Sequence, residues 1–307
     1  MIYLQTQAEK AFEQSGPFTH LHTTPLEKDI LYYNETEKAL ALNYIAISLS
    51  RCGCSLLALA LMSNHFHFIL AGARDQVALF WEEFSNRMDI YYRSHGRPGL
   101  MKHIQANLTP ITSLKQLRDE IAYVIRNAFV ARTDIHVFAD PWSSGYLYFN
   151  PMLIREGVPA SALKGRKLRD FTCSRQIEAI DGTIYVKDGR AQMWSFVDYP
   201  FVESLYDNAR QFINSVLKNV EAQVEVSRRI GEKPFLSDEE LFPLMYKLCR
   251  DAFKANSPKD MDLQSRKKLA ITLKNNYFAS NKQLARLTQL PLKDIDTLFP
   301  LSRQADK

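Results

Sequence analysis

The chain has 307 residues, a net charge of +5, 46% hydrophobic and 24% charged residues, and only four cysteines. That length and composition suffice for two folded cores and exclude a disordered chain or a disulfide-stapled secreted scaffold. No apolar run approaches the 18 residues of a membrane-spanning helix, so a soluble cytoplasmic protein without a membrane partner is expected, and the mild basic balance is compatible with nucleic acid.

Residues 1–16 read as a polar arm, helical in part, that ends at Gly16-Pro17. Phe18 to Thr24 alternates and is read as the first strand; it carries the pair His20-Leu21-His22. Asn34 is a suitable N-cap for a helix from Glu35 to about Arg51, with Gly53 ending it. Ser55 to Met62 is an almost unbroken apolar strand, Ser63-Asn64 a tight turn, and His65 to Ala71 the returning strand. A helix over Gln76–Ser94 and a strand over Lys102–Thr109 follow.

In the returning strand, residues two apart share a face, so His65, His67 and Ile69 point one way and Phe66, Phe68 and Leu70 the other. Two imidazoles on one strand face make half of a metal site, which an amide or carboxylate oxygen and water would complete. The helix predicted over Ser113–Val130 opens with Ser113 and Gln116 in capping-box spacing and carries an apolar stripe of Leu114, Leu117, Ile121, Val124, Ile125 and Ala128. Gln116, Glu120, Tyr123 and Asn127 fall on the opposite stripe, which sets a phenol and an amide one turn apart. If that helix crosses the histidine face, Tyr123, Asn127, His65 and His67 converge. The order strand, helix, two strands, helix, strand, helix predicts the α+β class, a small antiparallel sheet with helices packed on it.

Residues 147–205 mix short apolar pieces, turns at Asp181-Gly182 and Asp188-Gly189, and a basic cluster from Lys164 to Arg169 read as a solvated face, with phosphate contact the alternative. Val202 to Val226 reads as one helix and Gly231–Pro234 as a linker. From Leu236 onward the pattern is all-helical. Two short helices about Gln289-Leu290-Pro291, with Lys282, Arg286 and Lys293 around them, fit a DNA-reading helix-turn-helix. Three segments result: 1–150, a connecting 151–235 and a helical 236–307.

A divalent ion between two imidazoles and an amide oxygen would keep positions open to orient a phosphate, and a tyrosine beside it is a candidate nucleophile. Met62-Ser63-Asn64-His65-Phe66-His67 resembles the signature of HUH endonucleases, in which a bulky hydrophobe separates two histidines. With Tyr123-Val124-Ile125-Arg126-Asn127 and Trp142-Ser143-Ser144-Gly145-Tyr146, the ordered set over residues 18–150 is similar to the single-tyrosine transposases of small insertion sequences and their REP-associated relatives. The resemblance implies a ferredoxin- or RRM-like core, Tyr123 as nucleophile, and Mg²⁺ or Mn²⁺ held by His65, His67 and Asn127. It further implies a single-stranded or hairpin DNA substrate and, in many members, a homodimer. Arg126 and Arg132 are candidate phosphate contacts from the tyrosine helix. Where the family commonly has Asn-Pro-Val, this chain has Asn127-Ala128-Phe129-Val130, so its helix is expected to run longer. The rival from another class is a DNA-binding regulator that does not cleave. A zinc site from Cys52, Cys54, His65 and His67 is disfavoured because the cysteines lie at the far end of the hairpin. His20 and His22 are read as structural or close to DNA, and Trp142 as core.

Overall fold

A computed structural model describes residues 6–26, 29–131, 136–172, 182–218, 220–234 and 236–300. The chain divides into two compact units, residues 1–219 and 220–307. Among the described residues no helix is long and apolar enough to cross a membrane.

The first unit begins with α1 (Gln7–Ser15), β1 (Phe18–Thr23), α2 (Glu35–Cys52), β2 (Ser55–Leu61), β3 (Phe66–Ala71), α3 (Arg74–Ser94), β4 (Ala106–Ile111) and α4 (Leu114–Ala131). The four strands form one antiparallel sheet in the order β2-β3-β1-β4. This is the α+β class expected, and β-α-β-β-α-β with that order is the split βαβ arrangement of ferredoxin-like folds. The helix ends follow local chemistry. Asn34 Oδ1 accepts from the Glu37 N–H at 3.0 Å, and Gly53 takes the left-handed conformation (φ 66°) that stops α2. At α4, Ser113 Oγ accepts from the Gln116 N–H at 3.1 Å, while the Gln116 amide oxygen reaches back to the Thr112 N–H.

The sheet is covered on both faces. On one, Phe66 and Phe68 of β3 meet Phe80 and Phe84 of α3 in edge-to-face contacts. On the other lies α4, which packs mainly on β2, where Ala58 and Ala60 leave room for a close approach. Leu117, Ile121, Val124 and Ile125 are all fully buried, each contributing roughly 1.5–3 kcal/mol of apolar transfer. The outer edge of β2 is not bare. The Leu61 N–H donates to the Trp142 carbonyl, Leu59 N–H to Ser144 Oγ, and Asp198 N–H to the Leu56 carbonyl. Trp142 is buried, as expected of a core residue.

The strand predicted over Lys102–Thr109 starts later. Gly99 adopts φ 83° and residues Leu100–His103 turn in a 3-10 helix before β4 begins at Ala106. After residue 150 come β5 (Val158–Pro159), α5 (Gly165–Thr172), β6 (Tyr185–Lys187), β7 (Arg190–Ala191), α6 (Tyr199–Ser204) and α7 (Ala209–Lys218). The three short strands form a second sheet, and Val186 and Ala191 from it cluster with Phe171 of α5, Ile184 and the α2 residues Ala46 and Ile47. Asn43 clamps it: its amide nitrogen donates to the Gly189 carbonyl and its oxygen accepts from the Ala191 N–H. The single helix expected over Val202–Val226 is interrupted: α6 ends at Ser204, and helix resumes at Ala209 as α7 and, on the other side of residue 219, which lies outside the described residues, as α8 (Val220–Ile230) at the start of the second unit. The Asp207-Asn208 pair explains the interruption before α7, since Asn208 Oδ1 caps α7 through the Gln211 N–H.

The second unit continues with α9 (Asp238–Phe253), α10 (Leu263–Tyr277), α11 (Asn281–Thr288) and α12 (Leu292–Leu298). Ser237 with Glu240 and Ser280 with Gln283 form complete capping boxes. Leu241, Met245, Leu269, Leu273, Leu284, Leu287 and Ile295 build its own core, and Asn281 ties α11 to the end of α12 through Asp296 Oδ1 and the Phe299 carbonyl.

Candidate metal and tyrosine site

The antiparallel register sets His22 of β1 directly opposite His67 of β3, with His20 one rung along beside Ile69. All three point to the α4 side, and their rings lie close together: His22–His67 5.8 Å, His20–His67 5.1 Å and His20–His22 5.1 Å between centroids. His65 sits half-buried in the turn before β3, its ring 5.2 Å from that of His67 and its Nδ1 2.8 Å from Asn64 Oδ1. The pairing therefore assembles four imidazoles on one sheet face from two His-x-His segments 45 residues apart.

Helix α4 brings three side chains to that face. Glu120, Tyr123 and Asn127 lie at positions i, i+3 and i+7, which share one helix stripe. His20 Nδ1 lies 2.5 Å from Glu120 Oε2, and both side chains are fully buried. The Tyr123 ring stands edge-on to His67 with centroids 5.7 Å apart, and 6.3 Å from His20. Asn127 Nδ2 lies 3.3 Å from His67 Nε2. Tyr123, His67 and Asn127 thus converge as the sequence predicts, with His65 beside them. Tyr123 is buried, at 4% exposure. Helix α4 runs on to Ala131, the longer helix expected of Asn127-Ala128-Phe129-Val130, which has no proline.

The donor set suits a divalent ion. His22 and His67 offer ring nitrogens within 4.8 Å of one another, a spacing one ion can bridge. Imidazole nitrogens and an amide oxygen are the ligand types that Mn²⁺ and related ions accept. Turning the Asn127 amide over presents Oδ1 where Nδ2 now stands, since the two ends have the same shape. The zinc alternative fails on two counts. Cys54 precedes β2 at the end that pairs with Ala71, roughly 20 Å along the strand from the His65 turn. Burial with Cys52 alongside also pushes the Cys54 thiol up to about 12, away from the thiolate a metal needs.

The basic candidates fare unequally. Arg126, expected to reach phosphate, is buried at 8% exposure. Arg132 lies outside the described residues. In the second unit, Lys282 and Lys293 are exposed, but Arg286 is held by Asp238 in two bonds, 2.6 Å from Nε to Oδ2 and 3.0 Å from Nη2 to Oδ1. Helix α12, the second of the expected helix-turn-helix, sets Lys293 among Asp294 and Asp296 and so carries little positive charge. The Lys164–Arg169 basic residues are exposed, and Arg166 pairs with Asp170 one turn on.

Three contributors were not legible as site residues: His20, His22 and Glu120. The His-x-His pair in β1 and the polar stripe of α4 were the available signals, but only the strand register joins them to His67. The Trp142–Tyr146 segment also acquires a role. Ser144 bonds the β2 backbone and the Tyr148 hydroxyl, and Gly145 lies against Ile125 of α4, so this segment braces the helix that carries Tyr123.

No protein-family profile, curated protein or solved structure matches the chain.

Proposed function

We propose that the first unit is a metal-dependent, tyrosine-nucleophile endonuclease and strand transferase acting on single-stranded or hairpin DNA, of the HUH single-tyrosine transposase kind. The observation that carries this reading is the meeting of Tyr123, His67 and Asn127 on one sheet face. Structural packing alone needs no phenol or amide against a cluster of four histidines, three of them buried. A DNA partner, a Mg²⁺ or Mn²⁺ cofactor and assembly as a homodimer are parts of the same proposal.

In this reading His65, His67 and Asn127 would hold the ion, with His22 as a further imidazole within reach. When bound, the ion would supply Lewis-acid polarisation of a phosphate and stabilise charge on the leaving oxygen. Tyr123 Oη forms the new bond to phosphorus while the bond to the 3′-oxygen breaks. The phenol proton ends, in net terms, on that 3′-oxygen. A 5′-phosphotyrosine and a free 3′-hydroxyl result, so the phosphodiester energy is kept and the strand can be rejoined without a nucleotide cofactor. Glu120 and His20 act behind the site by orienting His67.

The test is incubation of the full chain with hairpin-bearing single-stranded DNA and Mn²⁺, followed by denaturing electrophoresis. The reading expects a covalent protein–DNA adduct that is absent from Tyr123→Phe. The burial of Tyr123 and Arg126 favours a second reading, a DNA-binding regulator that does not cleave. Retarded DNA with no adduct in any divalent metal would establish that one instead.

A further inference from the structure

We propose that His20 is a positioning residue: with Glu120 it fixes the tautomer of His67, through a buried carboxylate–imidazole–imidazole chain, so that His67 Nε2 presents a lone pair to the site. The inference deepens the metal-and-tyrosine reading and rests on it for its consequence, while the chain itself is a matter of geometry.

Glu120, His20 and His67 are each fully buried and come from α4, β1 and β3. A buried carboxylate is stable only when its charge is hydrogen-bonded. In the proposed chain Glu120 is ionised and can only accept, which puts the proton between Glu120 Oε2 and His20 Nδ1 on the nitrogen, across 2.5 Å. A neutral imidazole has one N–H, and His20 has used it; its Nε2 is then an acceptor. His67 Nδ1 faces that Nε2 at 3.0 Å and must supply the hydrogen. The second nitrogen of His67, Nε2, is left with its lone pair. The Asn127 amide lies 3.3 Å from that nitrogen and can turn either end toward it, so the direction of the chain is set by Glu120 and His20. The polarity runs through three side chains on three elements.

The direction matters. A neutral histidine in water mostly carries its proton on Nε2, the tautomer that cannot bind an ion through that atom. Histidine ligands are commonly set by a carboxylate on the other nitrogen; here a second imidazole is inserted between carboxylate and ligand.

The test separates this role from packing. Two-bond ¹H–¹⁵N correlation spectra of the full-length protein at pH 8, without added metal, report the tautomer of each histidine. The expected spectrum assigns His67 as protonated on Nδ1 in the wild type; protonation on Nε2 overturns the proposal. Mn²⁺ binding, followed by loss of its free electron-spin signal, supplies the second readout. A glutamine amide spaces its nitrogen and oxygen much as an imidazole spaces its two nitrogens, so His20→Gln can donate to Glu120 and accept from His67. His20→Gln is expected to bind Mn²⁺ within a few-fold of wild type. The double variant His20→Leu/Glu120→Leu removes both upstream members of the chain and is expected to bind roughly 10- to 100-fold more weakly. Equal Mn²⁺ affinity in wild type and the double variant overturns the proposal. A wild type that binds no Mn²⁺ overturns the metal reading instead, and the His67 nitrogen shifts then decide the chain on their own.

Discussion

A Cβ atom built on Gly145 would lie 2.8 Å from Cγ2 of Ile125, closer than side chains pack. Gly145 belongs to the segment that covers the edge of β2, and Ile125 lies between Tyr123 and Asn127 on α4. The site's helix is therefore seated on a backbone with no side chain. Gly145→Ala is expected to destabilise the first unit by about 1–3 kcal/mol through overpacking. Adding Ile125→Ala should recover part of that loss, so a double-mutant cycle by urea unfolding will give a non-zero coupling.

Ser144→Ala tests the same brace from the β2 side. Ser144 Oγ accepts from the Leu59 N–H at 3.0 Å and lies 2.8 Å from the Tyr148 hydroxyl, all of them buried. Removing it strands a backbone donor, which costs about 1–3 kcal/mol. A shift of the urea midpoint with an unchanged denaturant slope is the expected observation.

Asn127→Ala is expected to weaken Mn²⁺ binding by about tenfold or more while leaving the fold intact, because Asn127 is only partly buried and its amide faces His67 Nε2. Calorimetric titration with Mn²⁺ measures it. An unchanged affinity would remove Asn127 from the ligand set.

The pair Asp238–Arg286 sets a pH dependence in the second unit. The Arg286 guanidinium holds the Asp238 carboxyl below its ordinary value. A carboxyl lowered by folding stabilises the native state above its unfolded pKa, near 3.9, and loses that contribution as pH falls through the lowered value. Asp238→Asn should therefore be less stable than wild type at pH 7, with the difference closing below about pH 4. Urea unfolding across that range checks the sign.

Cys52 and Cys54 are both buried, and burial raises both thiols, that of Cys54 to about 12. Their reaction with a disulfide reagent at pH 8 is expected to be far slower in the native chain than in urea, where thiolate forms freely. Burst labelling of both in the native protein would contradict the packing of the α2–β2 junction.

Much of this arrangement can be read from residue order. Strict periodicity and caps located α2, α3 and α4, and the face shared by His65 and His67 followed from the two-residue repeat of a strand. Asp188 and Gly189, both at positive φ, make the hairpin turn their sequence announces. The misreadings have local causes. Lys102 and His103 read as strand because a 3-10 turn after Gly99 has no periodic signal of its own. The segment 202–226 kept a helical rhythm across the break before α7. What no local pattern contained was the pairing of His22 with His67, or of His20 with Glu120. Those contacts join residues 45 and 100 positions apart, and they exist only once the strands have chosen their register. The same holds for Arg286, whose exposed position on α11 gave no sign of Asp238.

With the outer margin of β2 occupied by residues 142–144 and 197–198, the four-stranded sheet has, among the described residues, one flank left, beside β4. That flank contains Pro110, which has no N–H to offer a newcomer. A copy of the chain that lengthened this sheet would have to join there, next to the strand that touches β1 and on the opposite side from the tyrosine helix's main seat.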